Sequence, residues 1–167
     1  MKNTDLREII ILLLCCFLCA NVCGAKDKEE GYFIPRHDLT AEGTATEGNY
    51  TVEAVIYQQK PDKGIDSALR KAAVYGTIFK GITGKTGAPS QRPLAPASAE
   101  AAHPEFFSRL FGEDEYRRYA DVIGSSLRVE KVEKRLYRIR AVVVVHKDSL
   151  RRLLEENGIL ESFNDLF

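Results

Sequence analysis

Hydrophobic and polar positions are most informative in residues 136–154, LYRIRAVVVVHKDSLRRLL. Apolar residues first alternate with Arg138 and Arg140, and four consecutive valines follow at 142–145. Alternation has the period of a β-strand, and β-branched residues favour strand over helix. The segment therefore predicts an interior strand of a sheet, with the valines covered on both faces.

The end of this strand predicts a direct passage into a helix. Leucines 150, 153 and 154 fall on one helical face, and Gly158 is expected to end the helix. Asp148 or Ser149 is expected to cap its first turn. His146 lies at the strand exit without a second ligand nearby, which predicts a plain surface residue or a hydrogen-bonding residue and not a metal ligand.

Four further elements are predicted from spacing. Residues 50–59 alternate as a strand, and residues 65–80 have helical spacing with a small face of Ala68, Ala72 and Gly76 that permits close approach to a sheet. Residues 105–123 form a predicted aromatic helix, which residues 112–114 are expected to break into a short turn and a longer helix. Residues 125–133 predict a strand in an antiparallel hairpin with the central strand.

The predicted fold class is α+β. The order strand, helix, helix, strand, strand, helix predicts one small sheet of about three strands with helices packed on one side. The domain comprises residues 49–167. Residues 26–48 contain Pro35 and unpatterned Gly, Thr and Glu, which predicts an extended arm. Residues 81–104 are rich in Pro, Gly, Ala and Ser, which predicts a disordered loop.

The first 25 residues have the pattern of an export signal. An uninterrupted apolar run of residues 9–18 follows a short polar start, and it is shorter than a membrane-spanning helix requires. Small residues favour cleavage after Ala25, so that the mature chain begins at Lys26. Two alternatives stay open: an uncleaved membrane anchor, and lipidation at Cys19 or Cys23, which would make an outer-membrane lipoprotein.

Charge and cysteine content restrict the function. Lys+Arg and Asp+Glu both number 24, and this balance argues against a nucleic-acid binder, which needs a basic surplus. All 4 cysteines lie in the first 23 residues. They therefore predict neither a metal site nor a disulfide framework in the mature domain.

No catalytic motif is recognisable. The mature chain has only His37, His103 and His146, and no serine lies in a glycine-bracketed elbow between a strand and a helix. The sequence predicts a protein that is not an enzyme and has no cofactor. A hydrolase or a metal-dependent enzyme is a weaker alternative.

Two stretches together suggest a family. AVIYQQKPDKGIDSALRKAAVYG is a strand followed by an alanine-rich helix, and YRIRAVVVVHKDSLRRLLEENGI is a strand followed by a leucine helix. This arrangement resembles the small envelope domains of the flagellar assembly protein T family and related lipoproteins, and also uncharacterised secreted proteins of the Bacteroidetes type. The resemblance implies a structural or assembly role in the cell envelope and transfers no catalytic residue.

The predicted function is therefore a non-catalytic structural, assembly or protein-binding role in the periplasm or cell envelope, with another envelope protein as the expected partner. A small-ligand binding module is the alternative. Membrane contact is expected only through the signal or a lipid anchor. By position, the predicted partner-binding surface comprises the loop 81–104 and the residues Arg117, Arg118, Tyr119, Arg138 and Arg140.

Overall fold

A computed structural model of the chain describes residues 31–43, 47–61 and 64–161. The predicted signal segment 1–25 lies outside these residues, together with the cleavage site at Ala25 and Lys26 and the alternative lipidation sites Cys19 and Cys23. Residues 26–30 of the predicted arm also lie outside them.

The described residues form strands, α-helices and two short 3-10 turns, the latter at Glu115–Tyr119 and Gly124–Ser126. The strands and helices are, in chain order, β1 (His37–Ala41), β2 (Tyr50–Gln58), α1 (Ile65–Phe79), α2 (Ser98–Ala102), α3 (Pro104–Gly112), β3 (Ala120–Val122), β4 (Arg128–Glu133), β5 (Leu136–Val145) and α4 (Lys147–Glu156).

The predicted α+β class is confirmed, and the sheet is antiparallel throughout. Its order is β1-β2-β5-β3, and β4 also pairs with β5. The central position of β5 is confirmed, because β2 lies on one side of it and β3 and β4 lie on the other. Within the described residues the sheet has 5 strands, more than the predicted number of about three.

Strand β1 corrects the prediction of an unpacked arm. His37, Leu39 and Ala41 are buried, while Asp38 between them is exposed. The outer edge of β1 is covered as well, since the Ala41 N–H donates to the Thr83 carbonyl (2.8 Å) and the Thr83 N–H donates to the Leu39 carbonyl (3.0 Å). Five residues give too short an alternation to be recognised between Pro35 and Gly43.

The prediction of a disordered loop at 81–104 is also wrong. Ile82 and Gln91 exchange two backbone hydrogen bonds of 2.8 and 2.9 Å, and the Ala95 N–H donates to the Ile78 carbonyl at 2.9 Å. Ala88, Ala95 and Ala99 are buried. Small side chains bury little area each, but backbone pairing anchors the segment against β1 and the end of α1.

The predicted helix at 105–123 is divided. The break at 112–114 is confirmed, where Asp114 adopts a left-handed φ of 63°, but the helix lies before the break and not after it as predicted. After it the chain forms a 3-10 turn and then β3, which pairs with β5. The Tyr116 hydroxyl donates to Asp114 Oδ1 at 2.8 Å while its ring is fully buried, and these contacts fix a turn where helical spacing predicted a helix.

The sheet has a covered face and an open face. The covered face carries His37, Leu39, Ala41, Val52, Ala54, Ile56, Ile139, Ala141, Val143 and Val145, all buried. Helix α1 packs on strands β1, β2, β3 and β5, and the buried apolar residues form one cluster that includes Phe107, Phe111, Leu150 and Leu154. The residues that alternate with these along each strand project from the other side of the sheet, which is the open face.

The four valines of β5 are therefore not covered on both faces. Val143 and Val145 are fully buried, whereas Val142 and Val144 are half-buried on the open face. The cap prediction for α4 is wrong too, because His146 is the N-cap residue and no side chain of the described residues caps the helix. Gly158, with φ 68°, follows the helix as predicted.

Candidate protein-binding surface

The open face of the sheet is built from cross-strand rows that the register defines. Its members, from the row at the Tyr57 end to the row at the Asp121 end, are Tyr57, Arg138 and Glu130; Asp38, Val55, Arg140 and Arg128; Thr40, Glu53 and Val142; and Thr51, Val144 and Asp121. None of these residues belongs to the buried apolar cluster. An antiparallel sheet can keep one such face exposed to water.

Glu130 on β4 joins the two predicted arginines of β5. Arg138 Nη2 lies 2.5 Å from Glu130 Oε2, and Arg140 Nη2 lies 3.0 Å from Glu130 Oε1. The hydrogen bond and charge of Arg138 lower the pKa of Glu130, so the carboxylate stays ionised at neutral pH. One carboxylate thus positions two guanidinium groups on the open face.

Apolar and aromatic surface lies beside these charges. Val55, Val142 and Val144 are half-buried on the open face. The Arg36 guanidinium lies over the Tyr57 ring, 5.3 Å from its centroid. Aromatic side chains and arginine are enriched in the centres of protein interfaces, where they combine apolar area with directional hydrogen bonding.

The other predicted binding residues lie on the helix side. Arg117 Nη2 lies 3.0 Å from Asp114 Oδ2 and donates to Ser67 Oγ of α1 at 3.2 Å. Arg118 is exposed, and Tyr119 packs against the buried cluster. The 3-10 turn that carries these residues packs on α1 and α3. The structure therefore separates them from Arg138 and Arg140 by the thickness of the sheet.

A second polar cluster joins the ends of several elements. His146 Nδ1 lies 2.9 Å from Asn49 Oδ1, and His146 Nε2 lies 3.0 Å from Asp121 Oδ2. Arg70 Nη1 donates to Asp121 Oδ1 at 2.8 Å. Hydrogen bonds from His146 and then Arg70 lower the pKa of Asp121. His146 is a hydrogen-bonding residue, as predicted.

In this cluster, hydrogen bonds and the Arg70–Asp121 ion pair thus connect α1, β3, the end of β5 and the residue before β2. Its members are distant in sequence and follow no motif, so sequence reasoning missed all of them except His146. Within residues 31–43, 47–61 and 64–161, no group of three or more His, Cys, Asp or Glu side chains could hold a metal ion.

The described part of the chain has no helix long and apolar enough to cross a membrane. One open hollow of about 460 Å³ lies on the helix side, and His103, Phe106, Arg109 and Asn157 contribute to its lining. Comparison of the chain with protein-family models, curated proteins and solved structures gives no match.

Proposed function

We propose that this chain is an exported cell-envelope protein with a non-catalytic role, and that it binds another envelope protein through the open face of its sheet. The observation that carries the proposal is the composition of that face, where half-buried valines and Tyr57 lie beside two arginines that share Glu130. Export is proposed from the signal pattern of residues 1–25.

The charges of the open face indicate the chemistry of the partner. Arg128, Arg138 and Arg140 are accompanied by four acidic residues at positions 38, 53, 121 and 130. A mixed surface of this kind suits a protein with both signs of charge and a few apolar side chains, because opposite charges across an interface orient the partners. It does not suit a polyanion, which requires an excess of positive charge.

The test is affinity purification of the tagged protein from gently solubilised envelopes of its source cell, with mass spectrometry of the mature N-terminus and of copurifying proteins. The open-face variant combines Arg138→Ser and Arg140→Ser. The matched control combines Arg117→Ser and Arg118→Ser on the helix side. Each pair removes two exposed or half-exposed guanidinium groups, so both variants are expected to fold.

We expect the open-face variant to lose a stoichiometric partner that the control retains. Retention by both variants would exclude the open face as the binding surface. Loss in the control alone would assign binding to the helix side. An intact residue 1 in the purified protein would contradict cleavage of an export signal, whatever the binding result.

A further inference from the structure

Among the described residues, no strand pairs with the outer edge of β4, and the sheet pattern shows which backbone groups point outward there. Val142 of β5 bonds toward the β3 and β4 side, because its carbonyl accepts from the Ile123 N–H at 2.9 Å and its N–H donates to Ser126 Oγ at 2.7 Å. Even-numbered residues of β5 therefore bond in that direction. Arg128 and Glu130 of β4 lie opposite even-numbered residues of β5, so their backbone groups point toward β5. Val129 between them therefore directs its N–H and C=O away from the sheet.

This edge is also the most apolar exposed part of the described chain. Four large hydrophobic side chains are exposed among the described residues, and three of them lie at this edge: Ile123 (41%), Val129 (44%) and Val132 (51%). Val129 lies directly opposite Ile139, which is fully buried. The helix layer thus leaves β4 uncovered, whereas the other edge of the sheet, β1, is paired with Thr83.

We propose that a second copy of the chain pairs with this edge, antiparallel, across a two-fold axis at Val129. A symmetric dimer brings the same patch of each copy together. In an antiparallel pair, two residues that lie directly opposite each other project from the same face of the sheet. A two-fold axis perpendicular to the sheet therefore passes midway between a residue of one copy and the same residue of the other copy. Val129 of each copy then donates its N–H to the Val129 carbonyl of the other.

Charge selects this register over its neighbours. With the axis at Val129, Arg128 of each copy lies opposite Glu130 of the other, and the two valines meet at the centre. An axis at Arg128, Glu130 or Lys131 would instead place like charges directly opposite, which destabilises the pair. The register irregularity between Lys131 and Glu133 ends regular pairing there, so the paired segment is short.

One local rearrangement accompanies dimerisation. Arg128 Nη1 now donates to the backbone carbonyls of Ser125 (3.1 Å) and Leu127 (2.8 Å). The side chain is exposed, so it can turn toward Glu130 of the second copy. The open face remains uncovered in this dimer, although the contact uses Arg128 and Glu130 at the β4 side of that face.

The test is sedimentation equilibrium of the purified chain over a range of concentrations. We expect a reversible monomer–dimer equilibrium that weakens with added salt. Val129→Pro removes the outward N–H and the valine side chain but no hydrogen bond to β5, and an edge strand tolerates proline at such a position. It should weaken the dimer by at least about tenfold in Kd. Val129→Thr is the matched control, because it keeps the N–H and the β-branched shape and should retain the dimer.

A monomer at every concentration would overturn the proposal, and so would a dimer of unchanged Kd in a folded Val129→Pro variant. If circular dichroism shows that the Val129→Pro variant is unfolded, the Arg128→Glu variant tests the proposal instead. This exposed substitution places a carboxylate opposite Glu130 of the other copy, so a Kd as low as that of the original chain would overturn the register.

Discussion

The covered and open faces of the same strands differ in almost every physical property. Along β5, Ile139, Val143 and Val145 are fully buried, whereas the residues that alternate with them remain partly exposed on the open face. The covered face joins a cluster with rings from α1, α3 and the 3-10 turn, including Phe107 packed on Phe79 with centroids 5.0 Å apart. The open face holds charges and isolated valines.

This difference separates stability from function. Burying apolar surface stabilises the fold by roughly 25 cal/mol per Å², so most of the hydrophobic stabilisation comes from the covered face. Residues of the open face contribute little to folding and are free to serve binding. Substitutions at adjacent positions of one strand should therefore have unequal effects.

The largest difference is expected between Ile56 and Val55 of β2. Ile56 is fully buried on the covered face, and Ile56→Ala should lower the free energy of unfolding by about 2–5 kcal/mol, because it removes buried methyl groups and leaves a cavity. Val55→Ala on the open face should cost less than about 1 kcal/mol. Urea denaturation of both variants provides the comparison, and equal losses would mean that the open face is covered in solution.

A smaller effect is expected where α1 approaches β1. A Cβ at Gly76 would lie 2.5 Å from Leu39 Cδ1 and 3.3 Å from His37 Nε2, so Gly76→Ala must displace a packed side chain. Overpacking costs about 1–3 kcal/mol, and the better helix propensity of alanine offsets up to about 1 kcal/mol. We expect a net loss of stability in thermal unfolding.

Gly112→Ala is the control for this substitution. A Cβ at Gly112 would meet no atom within 4 Å, so the same chemical change there should leave stability unchanged or raise it slightly. A loss of equal size at both positions would show that packing against Leu39 is not the cause.

Sequence reasoning located the long elements, because their patterns contain enough periods to be distinctive. The central strand, the β2 strand, α1 and the hairpin of β4 and β5 were all predicted within a few residues. Alternation and β-branching follow directly from side-chain direction in a strand. The α+β class followed from their order.

The short elements could not be predicted because tertiary contacts form them. Strand β3 has three residues, and it forms because its backbone pairs with Val143, Val144 and Val145 of β5. The segment 81–104 is held by backbone bonds to Ile78 and Leu39, which composition cannot reveal. The candidate site depends on tertiary contacts in the same way. Arg138 and Arg140 were predicted from their positions in the strand, but the contact of both with Glu130 could not be predicted.

The smallest effect concerns pH and His37, on the covered face. The residue is 4% exposed, and Nε2 has no hydrogen-bond partner among the described residues. Burial lowers the pKa of His37 from its ordinary 6.5, and Lys80 lowers it further, although the Nδ1 bond to the Pro35 carbonyl opposes both. The unfolded chain therefore takes up a proton at a higher pH than the folded chain.

Stability should accordingly fall as pH drops below 6.5 and level off once pH is below the folded pKa. The slope is at most about 1.4 kcal/mol per pH unit for one proton. Asp121 and Glu130, whose ordinary values of 3.8 and 4.5 are lowered in the fold, titrate at more acidic pH and do not interfere. His37→Gln should reduce this slope in urea denaturation between about pH 6.5 and 5.5. An unchanged slope in the variant would assign the pH dependence to another group.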